Sequence, residues 1–264
     1  MVAGAAEATV ISQYVSGMGI TIYALLKSTH FRIKLKHLKF DINIVKELAN
    51  LSILTALQQS VMNFGILLVQ GLVNSFGTVV MAAFAAAVKI DTLAYSPVQD
   101  FGNAVSTFVA QNYGAGKHRR IKDGWKQSMI AASVFCVCVS AVVFIFAEKF
   151  MGLFVSDGTE IIKVGAEYLR IEGSFYIGIG ILFLLYGFYR AVGKPEMSLI
   201  LTIISLGTRV VLAYALSAIS KIGVIGIWIS VPIGWFLADM TGLLYMKKLP
   251  LLKSRFRKKY DLHI

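Results

Sequence analysis

Apolar residues run in seven long blocks separated by short polar connections, at about 4–26, 44–74, 78–112, 126–147, 159–191, 195–219 and 223–246. Each block reaches the roughly 20 residues that a helix needs to cross a bilayer core of about 30 Å. Backbone groups in lipid must be satisfied within the segment, so these blocks predict helices and not open strands. The short alternating segments of a membrane β-barrel are absent. Gly65, Gly71, Pro97, Gly178, Gly180 and Pro232 fall inside blocks, which membrane helices tolerate. The blocks 78–112 and 159–191 correspond to about 50 Å of helix at 1.5 Å per residue. They are expected to tilt, kink or protrude, with Pro97 as the kink of the first. The expected fold class is an all-α integral membrane protein with seven transmembrane helices.

Composition agrees with the pattern. Of 264 residues, 57% are apolar and 15% charged, and the mean hydropathy is +0.71, whereas soluble domains carry about 25% charge. A net charge of +12 on a soluble chain would suggest nucleic acid; here its location explains it. Lys27, Arg32, Lys34, Lys36, Lys39 and Lys46 occupy the first connection, and Lys117, Arg119, Arg120, Lys122 and Lys126 the third. Arg190 and Lys194 edge the fifth, and seven more cations, from Lys247 to Lys259, fill the carboxy-terminal end. These four places are alternate ends of the blocks, so they share one side of the membrane. The opposite connections hold Lys149, Lys163 and Lys221, with Arg170 expected in the first turns of a span. The positive-inside rule puts the basic side in the cytoplasm, the amino end outside and the carboxy end inside, with no nucleic-acid partner. No basic region precedes the first apolar run and Glu7 lies early in it, so a signal peptide is not expected and the chain is read as starting at a membrane helix.

Enzyme chemistry finds no foothold. H-E-x-x-H, G-x-S-x-G and P-loop motifs are absent, and the expectation is a protein that is not an enzyme. His30, His37, His118 and His263 sit in basic connections or the tail and read as solvated. Cys136 and Cys138 could hold metal in C-x-C spacing, but such sites take about four ligands; they read as small buried residues and no metal site is expected. Gly178 and Gly180 lie in an apolar helix, where a nucleotide loop is not expected.

Polar residues inside the blocks carry the functional information, because membrane helices hold them at a cost. At 100° per residue, Ser52, Thr55, Asn63, Gln70 and Asn74 fall within about 60° of Gln59 on the second block. On the third, Thr92, Ser96, Asp100, Asn103, Thr107 and Gln111 gather around Lys89, and Asp91 points the other way. Glu172, Tyr176, Tyr186 and Arg190 share a face of the fifth by the same count. These faces are expected to line a hydrated central cavity, with Gln59, Asn63, Gln70, Lys89, Asp100, Asn103, Glu172 and Tyr176 as candidate lining residues. For serine and threonine the favoured role is hydrogen bonding between helices. Lys89, Asp91, Asp100 and Glu172 are either functional or partners in buried ion pairs. Arg209 and Asp239 either pair or snorkel from helix ends. Trp228 and Trp235 read as interface or packing residues.

Residues 96–120 read Ser-Pro-Val-Gln-Asp-Phe-Gly-Asn-Ala-Val-Ser-Thr-Phe-Val-Ala-Gln-Asn-Tyr-Gly-Ala-Gly-Lys-His-Arg-Arg. This resembles the eighth helix and following basic loop of multidrug and toxic compound extrusion (MATE) transporters, where such a helix ends in Gln-Asn-x-Gly-Ala-Gly. Gln111, Asn112, Gly114, Ala115 and Gly116 carry the match, with Gly114 and Gly116 expected to break the helix. Tyr189-Arg190-Ala191-Val192-Gly193-Lys194-Pro195 resembles the family's loop before the eleventh helix, through Arg190, Gly193 and Pro195, with Ala191 where glycine is common. Val73-Asn74-Ser75-Phe76-Gly77 resembles the turn between the seventh and eighth helices. The likeness covers roughly 41–249.

The resemblance implies one six-helix lobe of a two-lobed antiporter, plus the last helix of the preceding lobe. Residues 1–27 would be that last helix, 28–43 a basic cytoplasmic linker, 44–249 the carboxy-terminal lobe and 250–264 a basic cytoplasmic tail. It further implies export of amphipathic or cationic drugs and toxic compounds by antiport with Na⁺ or H⁺, in the plasma (inner) membrane. Implied partners are membrane lipid, a small amphipathic substrate and a missing amino-terminal lobe, with no cofactor beyond the coupling ion. One branch of the family places acids on the seventh and tenth helices. Here Gln58 and Gln59, and a position near Ile179, stand there instead, so the coupling site is expected in the absent lobe. The alternatives are a lipid-linked oligosaccharide or lipid flippase of the same architecture, for which the intramembrane charges Lys89 and Arg209 against Asp91, Asp100, Glu172 and Asp239 are a poor match, and a truncated non-transporting remnant.

Overall fold

The computed structural model describes residues 2–27, 41–155 and 158–249. The basic cluster between Lys27 and Asp41, His30, His37, His263 and the tail 250–264 lie outside them. The elements are α1 (Val2–Lys27), α2 (Ile42–Asn74), α3 (Thr78–Gly114), α4 (His118–Phe154), α5 (Thr159–Gly173), α6 (Tyr176–Ala191), α7 (Pro195–Ser217) and α8 (Val224–Lys248). No strand occurs among the described residues. Six helices are long and apolar enough to cross a membrane, and α5 with α6 makes a seventh span bent by 53°. The chain is a multi-pass, all-helical membrane protein.

Contacts divide the chain into two units, Met1–Ala49 and Asn50–Ile264. In the first, α1 exposes apolar side chains such as Ile11, Tyr14, Val15 and Ile20. The second unit holds the core. Its tightest pairings are α7 with α8 and α3 with α6. One apolar cluster gathers Leu184, Leu185, Phe188, Leu201 and Trp235, and another gathers Phe84, Tyr168, Tyr176 and Trp228. Both tryptophans are therefore packing residues. Trp228 stacks on Phe84 with ring centroids 5.4 Å apart and meets Tyr168 edge-on at 4.9 Å.

Small residues set the closest approaches, as expected for helices that associate by packing rather than by escape from water. A Cβ on Gly187 would lie 2.2 Å from the Gly102 carbonyl oxygen, and one on Gly102 would lie 2.6 Å from that of Phe183. So α3 and α6 touch backbone to backbone.

The three loops that carried the family likeness share one device. Gly77, Gly116 and Gly193 each have positive φ, at 98°, 68° and 69°, a region open to glycine at little cost. After α3, Lys117 N–H donates to Asn112 C=O at 2.8 Å; after α6, Lys194 N–H donates to Tyr189 C=O at 2.9 Å. Both are the wide C-terminal turn that satisfies orphan helix carbonyls around a left-handed glycine. Gly116 makes the turn; Gly114, expected to break the helix with it, is the last helical residue.

α3 is one continuous helix through Pro97. The proline strips Leu93 C=O of its usual donor, and the Ser96 hydroxyl points back to that carbonyl at 3.4 Å. The interruption falls in the other long block, at Ser174–Phe175. Arg170 therefore lies in the last turn of α5, not the first turns of a span, and pairs with Glu148 at 3.0 Å. α4 begins at His118, so Arg119, Arg120, Lys122 and Lys126 are helical rather than in a loop. His118 is half-buried against Tyr113, not fully solvated. Cys136 is buried but Cys138 is exposed. Threonine hydroxyls mostly satisfy their own helix, as in Thr55 to Leu51, Thr92 to Val88 and Thr107 to Asn103 carbonyls, rather than bridging helices. Ser198 is a serine that does bridge, donating from α7 to Tyr186 C=O on α6.

Candidate functional site

The polar positions separate into two settings. The first is the outward face of α3. Lys89, Thr92, Ser96, Asp100, Asn103, Thr107 and Gln111 are all exposed. Their regular spacing follows the helix, so the face read from sequence is open on this unit. Lys89 and Asp100 are eleven residues apart, about 16 Å along the axis, and no ion pair joins them. On α2, Gln59 and Asn63 are exposed and Gln70 is half-buried. Their amides bond along the helix, Gln59 to Asn63 at 3.4 Å and Gln70 to Asn74 at 3.1 Å.

The second setting is internal. Glu172 and Tyr176 are 4% and 1% exposed and do not join the open face. The helix break between them ends the single angular count that grouped them with Tyr186 and Arg190. They surround Asp91, which is 2% exposed. Tyr168 OH donates to Asp91 Oδ2 at 2.7 Å, and Tyr176 OH donates to Oδ1 in a short hydrogen bond. Glu172 is close enough to Asp91 and Tyr168 to interact with both. Arg209 on α7 lies close enough to influence both carboxyls but forms no ion pair with either. Four helices thus converge on two buried acids, two phenols and one guanidinium.

Such a cluster suits a group that gains and loses one positive charge. Two carboxylates held close in a dry interior repel unless a cation or proton lies with them, and Arg209 supplies one charge against two. Among the described residues no three His, Cys, Asp or Glu side chains cluster as metal ligands do.

Sequence reasoning placed Asp91 away from the stripe, and the structure shows what it faces. It missed Tyr168 and the link to Arg209. Tyr168, Glu172 and Tyr176 recur every four residues, a one-face pattern that could have flagged the acid between two phenols. Nothing in the spacing identified α3 as the source of the second acid. Arg209 and Asp239 make no ion pair with each other, and both lie well inside their helices, away from the ends.

Seven membrane-length spans, buried charged side chains within them and an exposed polar face on α3 define a multi-pass helical membrane domain. The particular family follows from comparison: the MatE family model matches residues 53–215, and the chain belongs to that family. It is 26% identical over 259 residues to the probable multidrug resistance protein NorM of Thermotoga maritima, covering 98% of this chain and 54% of the relative. It is 27% identical over 254 residues to the probable multidrug resistance protein YpnP of Bacillus subtilis, covering 93% and 54%. A Pyrococcus furiosus transporter of the MOP superfamily, described as having a binding pocket of reversed polarity that suggests a different function, superposes with a TM-score of 0.86 at 24% identity, covering 95% of this chain and 57% of that one. The chain spans about half the length of the curated relatives it matches.

Proposed function

We propose that this chain supplies one lobe of a secondary active efflux transporter, which exports amphipathic or cationic drugs and toxic compounds in exchange for inward Na⁺ or H⁺. The observation that carries this reading is the open face of α3, where Lys89, Asp100 and Asn103 stand exposed on an apolar helix. Such a face is costly against lipid and suits a hydrated pathway. Family membership and the multidrug-resistance names of the relatives support the same reading. The partners are membrane lipid, a small amphipathic substrate and an amino-terminal lobe. The host membrane is the plasma (inner) membrane, with the amino end outside and the basic ends cytoplasmic. No enzymatic step is invoked, and the one small ion required is the coupling ion.

Ethidium efflux from vesicles carrying the complete two-lobed protein tests it. Export should require an imposed Na⁺ or H⁺ gradient, and Asp100→Asn and Lys89→Ala should each alter it while leaving the protein folded. Unchanged export in Gln59, Asn63, Lys89 and Asp100 variants alike would remove these faces from the pathway. Transport of a lipid-linked oligosaccharide without ethidium export would favour the flippase alternative.

The coupling site is proposed to lie in the amino-terminal lobe, because α2 presents neutral Gln58 and Gln59. Cation-coupled efflux by residues 1–264 alone would refute that. The buried Asp91–Glu172 pair favours a second reading, in which this lobe also binds the coupling proton or cation. Under it, Asp91→Asn and Glu172→Gln in the complete protein abolish the response to the ion gradient.

A further inference from the structure

A different carboxyl remains outside that cluster. Asp239 on α8 is 6% exposed, and its Oδ1 has no hydrogen-bond partner among the described residues. It faces the first turn of α6, the segment that follows the helix break: a Cβ on Gly178 would lie 3.8 Å from Asp239 Oδ2 and 3.3 Å from Trp235 Cβ. Glycine at 178 lets α6 lie close against Trp235 and brings its first turn within van der Waals reach of the carboxyl.

The groups around it are neutral. α6 presents the buried Tyr186 phenol, near enough to interact with Asp239, and α7 the buried Thr202 hydroxyl, which donates to Ser198 C=O. α7 also contributes the buried hydroxyls of Ser198 and Ser205, and its one buried-stretch cation is Arg209. α5 packs on α8 through Tyr168, whose ring meets Trp228. Arg209 and Glu172 both act on Asp91, and among the described residues no ion pair joins Asp239 to a cation. Lys247 and Lys248 on its own helix are exposed, two turns further on. A buried carboxylate with no paired cation is costly, and binding a proton removes that cost. The adjacent start of α6 offers the positive end of a helix, which can receive the anion after the proton leaves.

We propose that Asp239, set between α6, α7 and α8 against Gly178, is a reversible proton-binding site of this lobe, separate from the Asp91–Glu172 cluster. Loading forms an O–H bond on the carboxylate and cancels its charge; release returns the proton to water. The proposal stands whether or not the protein exports drugs, because protonation is read directly.

Infrared difference spectroscopy of the complete protein in lipid tests it. The wild type minus Asp239→Asn spectrum at neutral pH should show the C=O stretch of one protonated carboxyl. Raising the pH should replace that band with carboxylate bands, reversibly. The band should persist in the Asp91→Asn/Glu172→Gln background. If the amide variant fails to fold, Asp239→Glu should shift the band in frequency and keep its titration. Carboxylate bands at every pH overturn the proposal, because Asp239 would then be a fixed anion with a counter-ion. A protonated band that never yields to alkali overturns it too, because the acid would be inert packing.

Discussion

Tyr168→Phe removes one hydroxyl and little else. The ring keeps its edge contacts with Phe84 and Trp228, at 5.5 and 4.9 Å between centroids, while Asp91 loses a 2.7 Å donor. A hydrogen bond to a charged group contributes about 1.5–3 kcal/mol in soluble proteins. Interhelical bonds measured in membranes average about 0.6 and reach about 1.7 kcal/mol. Tyr176 still holds the other carboxylate oxygen, so the single variant should lose about 1–2 kcal/mol. The double variant Tyr168→Phe/Tyr176→Phe is different, because it leaves Asp91 with Arg209 and no hydroxyl donor. Its loss should exceed the sum of the singles by at least about 0.5 kcal/mol, the coupling expected of groups that share a partner. Unfolding in mixed micelles of increasing detergent content, followed by tryptophan fluorescence, measures all three. Additive losses, or a single loss below about 0.3 kcal/mol, would show that the phenols do not hold Asp91 jointly.

Other substitutions probe the packing. Gly187→Ala sets a Cβ against the Gly102 backbone oxygen, at 2.2 Å, and should cost about 1–3 kcal/mol in the same unfolding assay. Gly165→Ala is the contrast: its nearest atom, at 2.1 Å, is the free end of the Met151 side chain, which can swing aside, so the loss should stay below about 1 kcal/mol. Gly116→Ala meets no atom within 4 Å but keeps a φ of 68°, so it should lose about 1–2 kcal/mol through the backbone alone, and Gly116→Asn should lose less. Trp228→Ala empties a fully buried site between Phe84 and Tyr168 and should cost about 3–5 kcal/mol.

The spans were legible because a bilayer demands a minimum apolar length of every crossing segment: each block read from hydropathy falls on a helix, the fifth on α5 and α6 together, while α4 extends several residues beyond its block at both ends. The open face of α3 was legible for a similar reason: on an unbroken helix, angular position follows from residue number. Asp91 and Lys89 are two residues apart, so one points inward when the other points outward. What spacing could not supply was the partner across a helix interface. Asp91 meets residues 77 and 85 positions away, and such pairs leave no periodic trace. Asp239 was legible as an intramembrane acid, but its freedom from Arg209 depends on how α7 and α8 align.

The break in the fifth span shows how local chemistry and tertiary demand combine. α3 passes through Pro97 as one helix, and the neighbouring Ser96 hydroxyl reaches the freed Leu93 carbonyl. At Gly173-Ser174-Phe175 no proline is present, and the chain still bends by 53°. Ser174 turns its hydroxyl back to Arg170 C=O at 2.5 Å, and Gly178 N–H reaches Phe175 C=O at 2.8 Å, closing the new start of α6. Tyr168 and Tyr176 are eight residues apart, which on a straight helix is about 12 Å along the axis. Their hydroxyls nevertheless meet the two oxygens of a single carboxylate. The acid thus gives the two half-helices on either side of the 53° bend a common anchor, so the interruption and the buried acid are parts of one arrangement.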